Sequence, residues 1–170
     1  FGISRRRSTL STAGLAPAIE RLAVEAVRPR LAVSLNATTD DVRDRLLPLN
    51  RRYPLGRLLE ACDVFARETG DDFTFEYVLL GGVNDSTDDI DRLAEIVRSR
   101  RAKLNLIPFN PVPGALNYVA TPHARVKEIR DRLLNARIPV SVRWSRGAEA
   151  RAACGQLAIL PGEAGRRRRS

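Results

Sequence analysis

The sequence has no methionine, one histidine, one tryptophan and two cysteines among its 170 residues. Each scarcity removes a class of function. Cysteines as far apart as Cys62 and Cys154 make neither a disulfide framework nor a thiolate cluster, so the chain cannot by itself supply the three thiolates of an iron–sulfur centre. No apolar run approaches the roughly 18 residues of a membrane-spanning helix, and no membrane partner is expected. The basic, apolar and small-residue layout of a signal peptide is missing, which makes the cytoplasm the expected compartment. The chain opens on Phe1-Gly2-Ile3 rather than on methionine, and reads as a stretch cut from a longer polypeptide.

What is present suits one soluble domain with a core: 44% hydrophobic against 29% charged residues. The net charge of +9 suggests a polyanionic partner, but seven positive charges sit in Arg5 to Arg7 and Arg166 to Arg169, leaving +2 for the rest. Residues 1–157 read as the domain and 158–170 as a basic, disordered tail.

Short β-branched runs alternate with amphipathic stretches, the pattern of βα units around a parallel sheet. Strands are expected at Ser8 to Ser11, Leu31 to Leu35, Phe73 to Leu80, Lys103 to Pro108 and Val140 to Trp144. Helices are expected at Leu15 to Val24 and at Leu55 to Glu68, where Leu58, Leu59, Cys62 and Phe65 share one face and make Cys62 a core residue. A third helix, capped by Ser86 or Asp85 with Asp88 and Asp89 at its positive end, runs to about Arg100, and a last one spans Ala124 to Asn135. This is an α/β chain forming an open or partial (βα) barrel, since a closed eight-stranded barrel takes roughly 250 residues.

In such folds the reacting groups gather after the C-terminal ends of the strands. Here those ends carry Ser11 to Gly14, Ser34 to Asn36, Gly81 to Asp85 and Pro108 to Gly114, and the last strand leads through Ser145-Arg146-Gly147 to Cys154. Singly, these are ordinary caps and turns. Together, hydroxyls and amides converging on one rim suit a polar ligand with ribose and carboxylate groups. Cys154, among small and polar neighbours, reads as a reacting thiol, with Arg146 and Arg151 near enough to favour the thiolate. His123 reads as an exposed residue at a helix start rather than a general base. Glu76, inside a strand, needs a partner or a role, and the sequence does not choose between them. Trp144 and Tyr118 are too few to make a base-stacking platform.

The series "STAG", "LAVSLNATTDDVRDRLLPLNRRYPL", "FEYVLLGGVNDS", "LNLIPFNPVPG" and "RAACGQL", from about Ile3 to Leu157, resembles the C-terminal part of the radical S-adenosylmethionine (SAM) enzymes that methylate C2 of adenosine in 23S rRNA and tRNA, the RlmN type. The Cfr-type C8 enzymes are related. The resemblance implies a radical SAM partial barrel of six strands. It also implies that the first strands, with the CxxxCxxC motif for a 4Fe-4S cluster and a Gly-Glu-Pro segment, lie upstream of Phe1. By the same resemblance Ser11, Ser34, Leu35, Asn36 and Asn110 contact SAM, and Cys154 is the cysteine that is itself methylated. Asn36 stands where many relatives have histidine, and Ala148 and Arg151 where many have aspartates.

The implied chemistry explains a cysteine on a loop. One SAM methylates the thiolate, a second is cleaved reductively to a 5′-deoxyadenosyl radical, and the S-methyl carbon, stripped of hydrogen, adds to the electron-poor ring carbon. The resemblance further implies an electron donor and a monomeric full-length enzyme. A phosphate-binding barrel acting on a small metabolite is a rival, but no Gly-rich phosphate loop follows a late strand. A catalytically incomplete RNA- and SAM-binding fragment is another.

Overall fold

The computed structural model describes residues 8–111 and 118–144. Along them run β1 (Thr9–Thr12), α1 (Ala16–Ala23), β2 (Arg30–Ser34), α2 (Asp40–Leu46), a 3-10 turn (Pro48–Arg51), α3 (Leu55–Thr69), β3 (Phe73–Gly81), α4 (Thr87–Arg98), β4 (Ala102–Pro108), β5 (Val119–Ala120), α5 (His123–Asn135) and β6 (Val140–Val142). Strands β1, β2, β3, β4 and β6 lie side by side in that order, each parallel to its neighbour. The short β5 runs antiparallel against the end of β3, pairing Leu80 with Ala120. A parallel sheet whose strands are joined through helices is the α/β, partial-barrel arrangement expected from the alternating pattern.

Side-chain alternation decides what each face of the sheet does. Phe73, Phe75, Tyr77 and Leu79 of β3 point to one face and pack with Leu31, Val33, Leu104 and Leu106 against Ile19, Leu58, Phe65, Ile90, Leu93 and Ile129 of the helices. Fully burying each such side chain contributes about 1.5–3 kcal/mol. Phe73 and Phe75 meet edge to face at 5.0 Å, and Cys62 is fully buried in α3 as its helical spacing required. The alternate residues, Thr74, Glu76, Val78 and Leu80, point to the other face. At its upper end a smaller apolar cluster joins Val78 and Leu80 to Ala37, Leu46 and Leu47.

The expected strands and helices are all found, with ends displaced by one or two residues. Helix α3 ends on Gly70, whose φ of 68° is the left-handed conformation that glycine adopts without strain. Ser86 rather than Asp85 caps α4, its Oγ accepting the Asp89 N–H at 3.1 Å. Three elements were not expected: α2, the 3-10 turn and β5. Helix α2 turns a charged residue, Arg43, into the interior, which defeats a reading based on apolar period. Two-residue β5 is too short to show a period at all. The expected basic tail at 158–170 lies outside the described residues.

Candidate functional site

The open face of the sheet carries a polar row fixed by strand register. Ser34 pairs with Glu76, Glu76 with Asn105 and Asn105 with Ser141, so four polar side chains cross four adjacent strands at one level. With strands about 4.8 Å apart the row spans roughly 14 Å. Ser141 Oγ donates to Asn105 Oδ1 at 3.2 Å, and Ser11 Oγ, reaching over from β1, donates to Glu76 Oε2 at 3.5 Å. Ser34 is buried, Glu76 and Asn105 are half-buried, and Ser11 and Ser141 are exposed. Such a row offers hydroxyl, amide and carboxylate groups along one line. Asn105 and Ser141 were missed by sequence reasoning, although alternation in Lys103-Leu104-Asn105-Leu106-Ile107 puts Asn105 on the same face as Glu76 once the register is known.

Just above this row the loops after β1, β2, β3 and β4 meet on one rim, as expected of parallel strands. A buried guanidinium ties the first two together. Arg43 Nε donates to Leu35 O at 3.0 Å, Nη1 to Asn50 Oδ1 at 2.8 Å, and Nη2 to Ala13 O at 2.8 Å and Ser34 O at 3.2 Å. Asn50 Nδ2 donates in turn to Asp40 and Asp44 at 2.9 and 2.7 Å. Burial lowers the Arg43 pKa from 12.5 to about 10, which leaves it charged at neutral pH. Gly14, at φ 112°, sits where a Cβ would come within 2.9 Å of Arg43 Nη2, so only glycine lets the first loop close over the guanidinium.

The loop after β3 is clamped by amides. Strand β2 ends at Ser34, so on that side the upper backbone of β3 has no strand beside it. Asn36 Oδ1 accepts the Val78 N–H at 2.9 Å, Asn84 Oδ1 accepts the Leu80 N–H at 2.8 Å, and Asn84 Nδ2 donates to Asn36 O and Val78 O at 2.8 and 2.7 Å. Asn36 takes a φ of 56°, which asparagine tolerates better than branched residues. Asp85 caps the turn through Gly82 N–H and receives Thr121 Oγ1 at 2.8 Å.

The sequence-expected SAM contacts thus occupy distinct positions. Ser11 and Ser34 lie on the polar face, Asn110 is exposed on the rim after β4, and Asn36 is buried within the amide clamp. Leu35 sends its side chain into the core, its N–H bonds Glu76 O at 2.9 Å, and its carbonyl accepts from Arg43. Cys154, with Arg146 and Arg151, lies outside the described residues. His123 opens α5 in an exposed position and stacks on Trp144 at 4.5 Å, while Tyr118 meets Phe109 edge-on at 6.4 Å. Among the described residues no group of three His, Cys, Asp or Glu side chains is placed to hold a metal. The described residues therefore do not fit a 4Fe-4S cluster.

A solved radical SAM methyltransferase from Sphaerobacter thermophilus shares this architecture at a TM-score of 0.85 and 48% identity, over 91% of this chain and 45% of that one. A domain of pyruvate-formate lyase-activating enzyme from Bacteroides vulgatus shares the fold alone, with a TM-score of 0.65 at 15% identity. The fold is that of the radical SAM methyltransferase barrels. Within that class the relatives are specific. A protein named dual-specificity RNA methyltransferase RlmN from Anaeromyxobacter dehalogenans (strain 2CP-C) is 49% identical over 167 residues, 98% of this chain and 44% of that protein. Its namesake from Anaeromyxobacter sp. (strain Fw109-5) is 52% identical over 165 residues, 97% of this chain and 43% of that protein. The chain is homologous, over nearly all of its length, to the C-terminal part of the RlmN proteins, and it spans less than half the length of these relatives. No family model matches the sequence.

Proposed function

We propose that this chain supplies the SAM-binding sheet face and the methyl-carrying cysteine loop of an RNA methyltransferase that modifies C2 of adenosine in 23S rRNA and tRNA by a radical mechanism. The observation that carries the reading is near-50% identity to RlmN proteins over almost the whole chain, the match extending to the Sphaerobacter structure. The polar row supports it, because a nucleoside with a charged amino-acid tail calls for neutral donors and acceptors spread over several strands rather than one ion pair. SAM, when bound, supplies both the transferred carbon and the radical chemistry. In this reading Ser11 and Ser34 on the polar face, with Leu35, Asn36 and Asn110 at the rim above it, hold SAM, and the Arg43 and Asn84 networks keep the loops in place. Cys154 is the thiolate that takes the methyl group. Its neighbours Ala152, Ala153 and Gly155 are small enough to let it move between SAM and the base.

The cluster does not enter this chain's chemistry, since its described residues do not fit one. Its ligands belong to other parts of the whole enzyme, its electrons come from a separate donor, and residues 1–170 alone are inactive. The compartment is the cytoplasm, where both RNAs are made. Among the described residues no helix is long and apolar enough to cross a membrane.

The test is Cys154→Ala in the polypeptide as encoded, assayed by mass spectrometry of nucleosides from 23S rRNA and tRNA. Methyladenosine is expected to vanish while SAM binding stays within about threefold of wild type. Undiminished 2-methyladenosine would refute the assignment, and 8-methyladenosine as the wild-type product would replace C2 by the Cfr-type position.

A further inference from the structure

Glu76 is the only aspartate or glutamate inside any of the described strands. It stands half-buried on the open face at the centre of the polar row, with Ser34 beside it on β2, Asn105 beside it on β4, and the Ser11 hydroxyl 3.5 Å from Oε2. Among the described residues no lysine or arginine pairs with it. A carboxylate placed in the middle of a sheet is costly unless something donates to it, and one hydroxyl at 3.5 Å leaves most of its acceptor capacity open.

We infer that Glu76 is the acceptor for a ribose diol, the cis hydroxyls of the SAM nucleoside donating to its two oxygens. Two vicinal hydroxyls match the spacing of two carboxylate oxygens, the chemistry by which an acidic residue reads a ribose in dinucleotide folds. The neighbours favour this ligand group over its competitors. A phosphate would be repelled by the Glu76 charge, whereas a sugar edge finds donors and acceptors in Ser11 and Asn105. The row then sets where the nucleoside lies: the ribose over β3, flanked by β2 and β4, beneath the rim that carries Asn36 and Asn110.

This inference rests on the SAM reading, and the test separates the two. Binding of SAM, of 5′-methylthioadenosine, which keeps the ribose but lacks the sulfonium and amino-acid charges, and of its 2′-deoxy form is measured calorimetrically on the encoded polypeptide and on Glu76→Gln. Glu76→Gln is expected to weaken SAM and 5′-methylthioadenosine alike, by about tenfold or more, the loss typical of a hydrogen bond to a charged group. Wild type is expected to lose a similar factor on the 2′-deoxy ligand, and the variant almost none. Equal wild-type affinity for the ribose and 2′-deoxy ligands overturns the inference without needing any variant, and so does a Glu76→Gln loss confined to SAM, which would mark a partner for a cation. Wild type that binds neither SAM nor 5′-methylthioadenosine removes the SAM reading and the inference together.

Discussion

Arg43 and Cys62 are both fully buried, yet burial acts on them in opposite ways. The guanidinium keeps its charge because four oxygens around it, three of them backbone carbonyls, receive its protons. The thiol has no comparable partner, and burial pushes its pKa from 9.0 up to about 12. Cys62 is therefore a neutral packing group at any physiological pH. A pH effect on stability follows. In the unfolded chain the thiol ionises from about pH 9, whereas in the folded chain it holds its proton to about pH 12. Its stabilising contribution is complete below pH 9 and declines between those values, by at most about 1.4 kcal/mol per pH unit. Urea melts of wild type and Cys62→Ala at pH 8, 9.5 and 10.5 should show the variant's deficit shrinking as pH rises. A constant deficit would mean that the thiol ionises in the folded state as it does in the open chain.

At the level of elements, the segment from the end of β2 to the start of α4 shows how side-chain amides replace a missing strand. Asn84 makes three hydrogen bonds with its amide, to Leu80 N–H, Asn36 O and Val78 O, and all four residues are buried. Asn84→Asp keeps the acceptor but loses both donors, leaving two carbonyls facing a carboxylate. A loss of about 2–4 kcal/mol is expected, together with faster hydrogen exchange at the Val78 and Leu80 amides while Phe75 amide exchange is unchanged. Uniform acceleration across β3 would argue against a local clamp.

The same segment marks where sequence reasoning reached its limit. Strands β1 to β4 and β6 and helices α1 and α3 to α5 were legible because their apolar period reports burial on one face. Asn84 looked like an ordinary turn residue, and Glu76 an unexplained carboxylate, because their roles depend on strand register. Register joins residues such as Glu76 and Asn105, 29 positions apart, through a parallel pairing that no local pattern reveals. Arg43 was hidden for a related reason, since a buried charge is identifiable only once its acceptors are assembled from three separate loops.

At the scale of the molecule the two faces of the sheet are unequal. One is sealed by helices; the other is open, polar at mid-height and bordered by β1, which pairs only with β2 among the described residues. The residues of β1, Thr9-Leu10-Ser11-Thr12, carry no charge, and Leu10 is 45% exposed. An uncharged edge with an exposed leucine is a template for pairing with another chain, and natural sheets block such edges with a charge, a proline or a covering element. Residues 1–170 expressed alone are accordingly expected to self-associate. Light scattering across a concentration series should give a weight-average mass rising above 18.9 kDa, and Leu10→Lys, which places a charge on that edge, should bring it back towards the monomer value. The sheet core is untouched by that substitution, so a melting temperature within a few degrees of wild type should accompany the change in mass. A wild-type mass fixed at 18.9 kDa throughout would show that the edge is already covered by the chain itself.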